Sequence, residues 1–481
     1  MVNELSRSLL VNTLWSFIGR FGYLTVALIA NIILVRLLTP EDFGQIAIVM
    51  FFIAIASVIV ESGLSGALIR MVDVKEIDYS TVFVFNMLIS VILIGLLSYL
   101  STPIALFYDN PELKYILIVS SSILVINGLR ITQNTKLIKD LKFKVKAFYE
   151  FISILIGSSI GIILAYKEFG VWSIVISQLV TAITLTCIFW IFVEPIKSTK
   201  FSFNSFKSVY KFGINTTLAS LLNTIFDNIY QLILGKYFSI SQSGYFYQAK
   251  KLQDIPNGVL EKSISSVVYS TLSKLQDNPK EFNRLYFNVV RLSTVIIAFI
   301  FMLVFYYAEF IITILYGRDW LESALYLKLL VIASFFYLQE SLNRIIFKIF
   351  NKTEKILQLE ILKKLIQSLT IFYGVYMESI EILLYGFILT SLISFIFNYY
   401  IARCIQKAFS LRDFLNTIMI IFVTVIIIFI CDLLNKNMEY NILYNLPLIV
   451  LLYFYLLQLL NIFRLKDELS SVYKLFRGVS D

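Results

Sequence analysis

The sequence predicts an all-α integral membrane protein with about fourteen transmembrane helices. Of its 481 residues, 58% are hydrophobic and only 15% are charged, and the mean hydropathy is +0.81. Soluble proteins average about 25% charged residues. The apolar residues form stretches close to the ~20 residues that cross a bilayer as a helix. These observations exclude an ordinary soluble globule.

The predicted spans alternate with short polar gaps. They cover residues 9–35, 43–68, 80–101, 115–133, 147–166, 171–193, 210–235, 244–271, 288–308, 323–347, 356–376, 380–402, 414–434 and 441–463. Every second gap, together with both tails, holds 24 of the 41 Lys and Arg residues, whereas the opposite gaps hold 6 and the spans hold 11. Because an excess of Lys and Arg marks the cytoplasmic side, we predict that both termini are cytoplasmic.

An internal repeat organises twelve of the spans. LVRLLTPEDFG at 34–44 and LGKYFSISQSG at 234–244 have the same layout, in which a span ends, a polar turn follows and a glycine restarts the helix. FYDNPEL at 107–113 and LYGRDWL at 315–321 form a second such pair. Two similar sets of six spans in one orientation indicate a parallel repeat around a central site. We predict two six-helix lobes at 1–200 and 201–410, and two peripheral spans at 411–463.

The last segment, 464–481, places Leu465, Leu469, Val472 and Phe476 on one helical face. This spacing is typical of an amphipathic helix lying at the membrane surface. We predict a cytoplasmic amphipathic tail, with a frayed polar tail as the alternative.

Missing residue types and motifs exclude several function classes. The chain has no His, which excludes His-based catalysis and His metal ligation. Cys187, Cys404 and Cys431 are scattered through apolar sequence, so neither a disulfide framework nor a metal cluster is indicated. No G-x-x-x-x-G-K-[ST] run is present, so we expect no ATP site. The basic gaps account for the net charge of +9 without nucleic acid. We expect no catalytic residue, metal or cofactor.

Polar residues inside the predicted spans mark the candidate site, because a charge in hydrocarbon normally faces a bundle interior or a wet cavity. One stripe of the first span carries Arg20, Tyr23 and Asn31, and the seventh span has a polar stripe with Asn223 and Asp227. Arg20 lies roughly 16 Å into its span at ~1.5 Å per residue. We predict that these residues line a wet cavity. A structural interhelical contact is the alternative for Arg20 and Asp227.

The eighth span is the most charged. Lys250 and Lys251 lie one helical turn from Asp254, and such pairs lower the cost of burial. We predict that Lys250 or Lys251 faces the aqueous path. Asp227, Asp254 and Glu61 are the candidates for carrying a proton or binding a cation.

Three other charged residues lie near predicted cytoplasmic span ends. For Glu340, as for Glu61, snorkelling to the membrane surface competes with a functional role. We interpret Arg130 and Arg344 as orientation signals.

Two segments carry a family resemblance. LWSFIGRFGYLTVALIANIILVRLLTPEDFGQIAIV at 14–49, followed by ESGLSGALIR, resembles Wzx-type polysaccharide flippases of the multidrug/oligosaccharidyl-lipid/polysaccharide (MOP) exporter superfamily. GYFYQAKKLQDIP at 244–256 resembles its counterpart there. The resemblance extends over the whole chain. It implies a V-shaped, two-lobed transporter of the inner membrane that alternates access, and not an enzyme.

The resemblance also implies a cargo. Related members move an undecaprenyl-diphosphate-linked oligosaccharide repeat unit to the outer leaflet, for O-antigen or other lipopolysaccharide, capsule or exopolysaccharide biosynthesis. Arg20 matches a cationic position of the first helix in relatives, whereas Lys250 and Lys251 match a more variable stretch. The expected partners are this lipid-linked cargo, membrane lipids, a polysaccharide polymerase and a chain-length regulator, around a monomer. A proton or sodium gradient is the expected energy source.

Other functions stay open at this point. A multidrug exporter of the same superfamily needs an acidic cavity, whereas this chain has mixed charge around Arg20. A membrane glycan polymerase or ligase usually needs a large outer loop, and the outer gaps here are short. A non-transporting scaffold does not account for the charges inside the spans.

Overall fold

The computed structural model describes residues 2–61, 63–196, 199–407, 411–438 and 445–462. Within these ranges, side chains are not described for residues 2–18, 20, 211–212, 215–216, 263–264, 266–267, 411–413 and 435–438. Every regular element in the described ranges is helical. The predicted tail at 464–481 lies outside the described residues.

Seventeen α-helices follow one another along the described chain. They are α1 (Val2–Leu37), α2 (Pro40–Glu61), α3 (Leu64–Arg70), α4 (Glu76–Phe107), α5 (Glu112–Ser121), α6 (Ile123–Lys139), α7 (Phe143–Tyr166), α8 (Trp172–Phe192), α9 (Phe203–Tyr237), α10 (Ile240–Leu272), α11 (Pro279–Tyr306), α12 (Ala308–Leu315), α13 (Glu322–Ile349), α14 (Thr353–Tyr376), α15 (Ile380–Gln406), α16 (Leu411–Met438) and α17 (Asn445–Leu459). Short 3₁₀ turns follow α10 and α12.

The predicted spans coincide with these helices. In the described ranges, nine helical segments are long and apolar enough to cross a membrane, and Phe21–Leu37 and Asn445–Leu459 are shorter apolar helices. The helices α9, α10 and α14 coincide with the three other predicted spans, and α10 and α14 each carry five charged residues. The all-α membrane class is therefore confirmed.

The chain divides into two compact units, Met1–Tyr247 and Gln248–Asp481, so the boundary lies within α10. We call them unit 1 and unit 2. The predicted lobes at 1–200 and 201–410 follow the sequence repeat instead of the packing, and they stay a prediction.

Two glycines of the sequence repeat meet inside unit 1. A Cβ on Gly44 would lie 1.9 Å from the carbonyl oxygen of Ile240, and one on Gly244 would lie 1.9 Å from that of Pro40. The starts of α2 and α10 therefore cross with backbone against backbone. Glycine at these positions is required by this close approach.

Basic residues of the predicted cytoplasmic gap at 130–146 also hold unit 1 together. The Nζ of Lys139 donates to the carbonyl oxygens of Leu68 and Met71, at 3.0 and 2.5 Å. It thereby satisfies carbonyls at the end of α3 that the helix leaves unpaired. Lys136 forms an ion pair with Glu76, at 3.1 Å. The charges that predict orientation thus also have structural partners.

The last two predicted spans pack onto α11 in unit 2. The Tyr453 hydroxyl donates to the carbonyl oxygen of Val295 at 2.8 Å. The Asn445 side-chain nitrogen donates to the Tyr306 hydroxyl at 2.7 Å. These bonds fix α17 in position, since buried polar groups need partners.

A buried charge network joins α13 to α14 in unit 2. The Glu340 side chain has no exposed surface, and its carboxylate contacts Arg344 and the Nζ of Lys363, the latter at 2.9 Å. Arg344 also contacts Glu360. Arg344 is therefore an interhelical partner as well as a residue at a predicted cytoplasmic span end.

We predict that Gly244→Val destabilises unit 1, because the added methyl groups meet backbone atoms of α2. Overpacking of this kind costs about 1–3 kcal/mol. Thermal unfolding of the detergent-solubilised chain should show a lower melting temperature. Gly95→Val is the matched control, since a Cβ on Gly95 meets nothing within 4 Å. Equal melting temperatures for the two variants would refute the close approach.

We predict that Glu340→Gln destabilises unit 2 by about 3–5 kcal/mol, because it leaves Arg344 and Lys363 buried with less negative charge. The control is Glu309→Gln, which breaks an ion pair between Glu309 and Lys328 on a side chain that is 64% exposed. Exposed pairs contribute about 0–1 kcal/mol. The same thermal unfolding assay measures both. Similar losses in the two variants would contradict a central role for Glu340.

Candidate functional site

A polar stripe on α6 forms the base of the candidate site in unit 1. Asn127, Arg130 and Asn134 are spaced by three and four residues, so they share one helical face. All three line a cavity of about 140 Å³, together with Ser57 and Glu61 at the end of α2.

A larger cavity, of about 640 Å³, adjoins the first. The two share Asn127, Arg130, Glu150 and Leu185 as lining residues. The larger one extends between α1, α6, α7 and α8, and its polar lining is completed by Tyr23, Lys146, Ser177, Gln178 and Thr181. We call the two together the Arg130 cavity. Its size falls within the roughly 300–1,000 Å³ typical of ligand sites.

Arg130 is the electrostatic centre of this cavity. Glu150, Tyr23 and Glu61 are its interacting neighbours. The Nη1 of Arg130 and the Oδ1 of Asn127 are buried and have no hydrogen-bond partner among the described residues. A buried polar atom left unsatisfied costs about 1–3 kcal/mol. A ligand carrying anionic oxygens would therefore be stabilised at Arg130.

The carboxylates around Arg130 are not equivalent. Glu150 accepts a 2.5 Å hydrogen bond from the Nζ of Lys146, one turn earlier on α7. Glu61 has no ion pair of this kind in the described part of unit 1. The described lining thus combines two cations with two carboxylates, so its charge is mixed.

Arg344 of unit 2 has a carboxylate partner on its own helix, which Arg130 lacks. Arg344 has Glu340 four residues before it on the same helix, and that carboxylate contacts it directly. The residue four positions before Arg130 is Ile126. Because i,i+4 residues are neighbours on a helix, Arg344 is neutralised locally, whereas Arg130 is not.

The predicted unit 1 residues are only partly brought together. Tyr23 and Glu61 line the Arg130 cavity. Asn31 is buried, and Asn223 and Asp227 are exposed on α9, away from the described lining. The side chain of Arg20 lies outside the described residues, so its role stays a prediction.

The predicted residues of unit 2 lie on α10. Lys250 is half-buried, and Lys251 and Asp254 are exposed. Their roles in contacting cargo or coupling an ion stay predictions. No group of three Cys, Asp or Glu side chains that could hold a metal is present among the described residues.

The sequence interpretation missed three charged residues of the cavity, Arg130, Lys146 and Glu150. It assigned the basic gap at 130–146 to membrane orientation alone. The spacing of Asn127, Arg130 and Asn134 was the available signal, because it continues a polar face from inside the span into the gap. What the gap could not show is that α2 and α7 place carboxylates against that face.

Curated relatives are similar over part of their length. The succinoglycan biosynthesis transport protein ExoT of Rhizobium meliloti (strain 1021) is 22% identical over 309 residues, 64% of this chain and 63% of that protein. The lipopolysaccharide biosynthesis protein WzxC of Escherichia coli (strain K12) is 21% identical over 269 residues, 56% of this chain and 55% of that protein. The chain thus spans less than two thirds of these two relatives. The teichuronic acid biosynthesis protein TuaB of Bacillus subtilis (strain 168) is 20% identical over 332 residues, 68% of each chain.

Solved structures share the fold over most of the chain. The lipid II flippase MurJ in an inward closed conformation superposes with a TM-score of 0.72 at 19% identity, covering 93% of this chain and 97% of that one. An inward-facing MATE multidrug transporter of the MOP superfamily reaches 0.57 at 16% identity, covering 80% and 96%. The chain therefore shares the fold of these two transporters.

A family model agrees with these similarities. The model described as "Polysaccharide biosynthesis protein" matches residues 33–325, more than half of the chain. The chain therefore belongs to this polysaccharide biosynthesis protein family.

Proposed function

We propose that the protein is a flippase that moves a lipid-linked oligosaccharide repeat unit, joined through diphosphate to undecaprenol, from the cytoplasmic to the outer leaflet. The observation that carries this proposal is the Arg130 cavity. It is a polar, mixed-charge space inside unit 1, and one nitrogen of its central guanidinium has no hydrogen-bond partner among the described residues. The names of the relatives, which refer to polysaccharide biosynthesis and transport, support the same class of cargo.

The chemistry of the cargo fits this site. A diphosphate cannot enter a low-dielectric layer without compensation of its charge. Arginine suits this task, because its planar guanidinium donates two parallel hydrogen bonds to phosphate oxygens. Arg130 has the unpaired nitrogen for the first contact. In this proposal Tyr23, Asn127 and Gln178 provide polar surface for the sugar.

The site residues predicted from the sequence would contact the cargo elsewhere on its transport path. We propose that Arg20, Lys250 and Lys251 receive the diphosphate at other stages of alternating access. Asn31, Asn223 and Asp227 would provide polar contacts along the way. The structural support is strongest for Tyr23, which lines the Arg130 cavity.

We propose that Glu61 couples transport to a proton or sodium gradient. Glu61 shares the cavity with Arg130 and interacts with it electrostatically. When a phosphate binds the guanidinium of Arg130, the Glu61 carboxylate loses its counter-charge. Its affinity for a cation then rises. Cargo and ion binding are then linked through one arginine. Asp227 and Asp254 are the alternative carriers.

We also propose an oligomeric state, a membrane location and partners for the protein. The protein would act as a monomer in the inner membrane, with both termini cytoplasmic, and would pass its cargo to a polymerase and a chain-length regulator. It would need neither a cofactor nor ATP, and it would not be an enzyme. The mixed charge of the Arg130 cavity disfavours export of cationic drugs, which needs an acidic lining.

We predict that Arg130→Gln reduces flipping about ten- to hundredfold, since a charge-assisted hydrogen bond contributes about 1.5–3 kcal/mol. Arg130→Lys should keep part of the activity. The measurement is surface polysaccharide in the native host deleted for the gene and complemented with each variant, alongside the lipid-linked precursor that accumulates inside.

The control for that experiment is Arg318→Gln, which removes an exposed arginine in a 3₁₀ turn of unit 2. It should leave surface polysaccharide at the wild-type level. Normal polysaccharide in cells with Arg130→Gln at wild-type protein levels would rule out the role of Arg130. Drug sensitivity on deletion, with normal polysaccharide, would favour a multidrug exporter.

We predict that Glu61→Gln abolishes the response of transport to an ion gradient, because the amide carries no titrating charge. Flipping in vesicles should be faster with an imposed proton or sodium gradient for wild type, but not for Glu61→Gln. Asp227→Asn and Asp254→Asn serve as comparison variants and should keep the response. If Glu61→Gln keeps it and one of the others loses it, coupling belongs to that other carboxylate.

A further inference from the structure

A second pair of cavities lies in unit 2, and the proposed function assigns no role to it. A small polar cavity, of about 20 Å³, is bordered by α11, α13, α15 and α16. An apolar cavity, of about 300 Å³, is bordered by α11, α13 and α16. Arg291 and Arg403 are the charged residues of the small cavity, and its described lining contains no Asp or Glu.

Arg403 is a buried cation with no carboxylate partner among the described residues. Its side chain is only 2% exposed. Its guanidinium lies 4.7 Å from the ring centres of Tyr286 and Tyr399. Its hydrogen bonds go to the neutral side chains of Gln406, Tyr286 and Asn343. The Nε of Arg403 is buried with no hydrogen-bond partner among the described residues. Aromatic faces attract the cation, but they do not cancel its charge.

The contrast with Arg344 shows that this arrangement is unusual within the same unit. Arg344 is neutralised by two carboxylates, Glu340 and Glu360. A cation buried at membrane depth normally pairs with an acidic group. The region around Arg403 therefore favours a ligand that brings negative charge.

The two cavities follow each other along the same helices. On α11 the lining changes from Arg291 to Ala298 and then to Phe305, a distance of roughly 20 Å at ~1.5 Å per residue. On the antiparallel α13 it changes from Asn343 back to Val331. On α16 the change runs from Asn416, Thr417 and Ile420 to Ile421, Thr424, Val425 and Ile428. Three helices thus pass from a cationic to an apolar lining in one direction.

We propose that this cleft binds an anionic glycerophospholipid of the surrounding bilayer. A phosphate oxygen lies at Arg291 and Arg403, and an acyl chain fills the apolar cavity. The small cavity has room for about one water-sized group, since a water needs roughly 10–15 Å³. It therefore admits an oxygen of the phosphate while the rest of the headgroup stays at the opening.

Charge complementarity selects this occupant. The cationic end lies at the predicted cytoplasmic ends of α11, α13 and α15, where basic pockets between helices meet anionic headgroups. The apolar lining then runs toward the membrane interior, in the direction of an acyl chain. The bound lipid is a resident of unit 2, distinct from the cargo proposed for the Arg130 cavity.

The test is lipid retention by the purified full-length chain. The protein is reconstituted in nanodiscs of phosphatidylglycerol and phosphatidylcholine, transferred to mild detergent and analysed by native mass spectrometry. Wild type should retain phosphatidylglycerol about tenfold over phosphatidylcholine, in keeping with about 1.4 kcal/mol for a tenfold difference. Arg291→Gln and Arg403→Gln should each remove most of this preference. Arg130→Gln and Arg318→Gln should leave it unchanged.

Additional arms separate the possible sources of phosphate. Melting of the detergent-solubilised protein is measured with added phosphatidylglycerol, inorganic phosphate and undecaprenyl diphosphate. Stabilisation by phosphatidylglycerol alone supports the proposal. Equal stabilisation by inorganic phosphate would show a free-anion site, and preference for undecaprenyl diphosphate would assign the cleft to cargo. Either result would overturn the proposal, as would retention of both phospholipids to the same extent.

Because Arg403 is part of a packed cluster, its substitution can unfold the protein. Arg291→Gln provides the independent variant, and Arg403→Lys keeps the charge while losing the planar fork. Loss of lipid preference in Arg291→Gln with an unchanged melting temperature in lipid-free detergent supports the proposal. Unchanged preference in that variant contradicts it. Flipping activity does not enter this readout, so failure of one proposal leaves the other standing.

Discussion

The constraint on which this structure depends is the cost of placing charge where water is scarce. Most Lys and Arg residues avoid that cost by lying outside the predicted spans. The cost for the buried ones depends on their individual neighbours. Glu340 neutralises Arg344 and Lys363 inside unit 2. Three aromatic rings and neutral polar groups surround Arg403. Arg130 alone among these three arginines combines an unpaired nitrogen with a large cavity.

The comparison of Arg130 with Arg344 links sequence, packing and function. Both have carboxylates on a neighbouring helix. The difference is one helical turn away, where Glu340 precedes Arg344 and Ile126 precedes Arg130. A carboxylate at that position pairs with the arginine and makes it part of a structural charge network. The isoleucine before Arg130 provides no such carboxylate, so Arg130 lacks the pairing within its own helix that Arg344 has.

Much of the fold follows from composition and spacing. Runs of apolar residues at bilayer length predict the helices, and all fourteen predicted spans coincide with helical segments. The repeated glycines at 44 and 244 were recognised from their layout, but the sequence did not show that they touch. That contact depends on how closely the backbones of α2 and α10 approach each other. A local sequence pattern does not specify the distance between segments 200 residues apart.

The candidate site was predicted less completely, and for a physical reason. Hydropathy and spacing by themselves determined that this is an all-α membrane protein and that the first and seventh predicted spans carry polar stripes, with Tyr23 on one of them. Only the tertiary structure decided which polar faces meet, and therefore that Arg130, which the sequence analysis interpreted as an orientation signal, lies with Glu61 and Glu150 on one cavity. The cost of a buried charge depends on its neighbours in space, and those neighbours come from different helices.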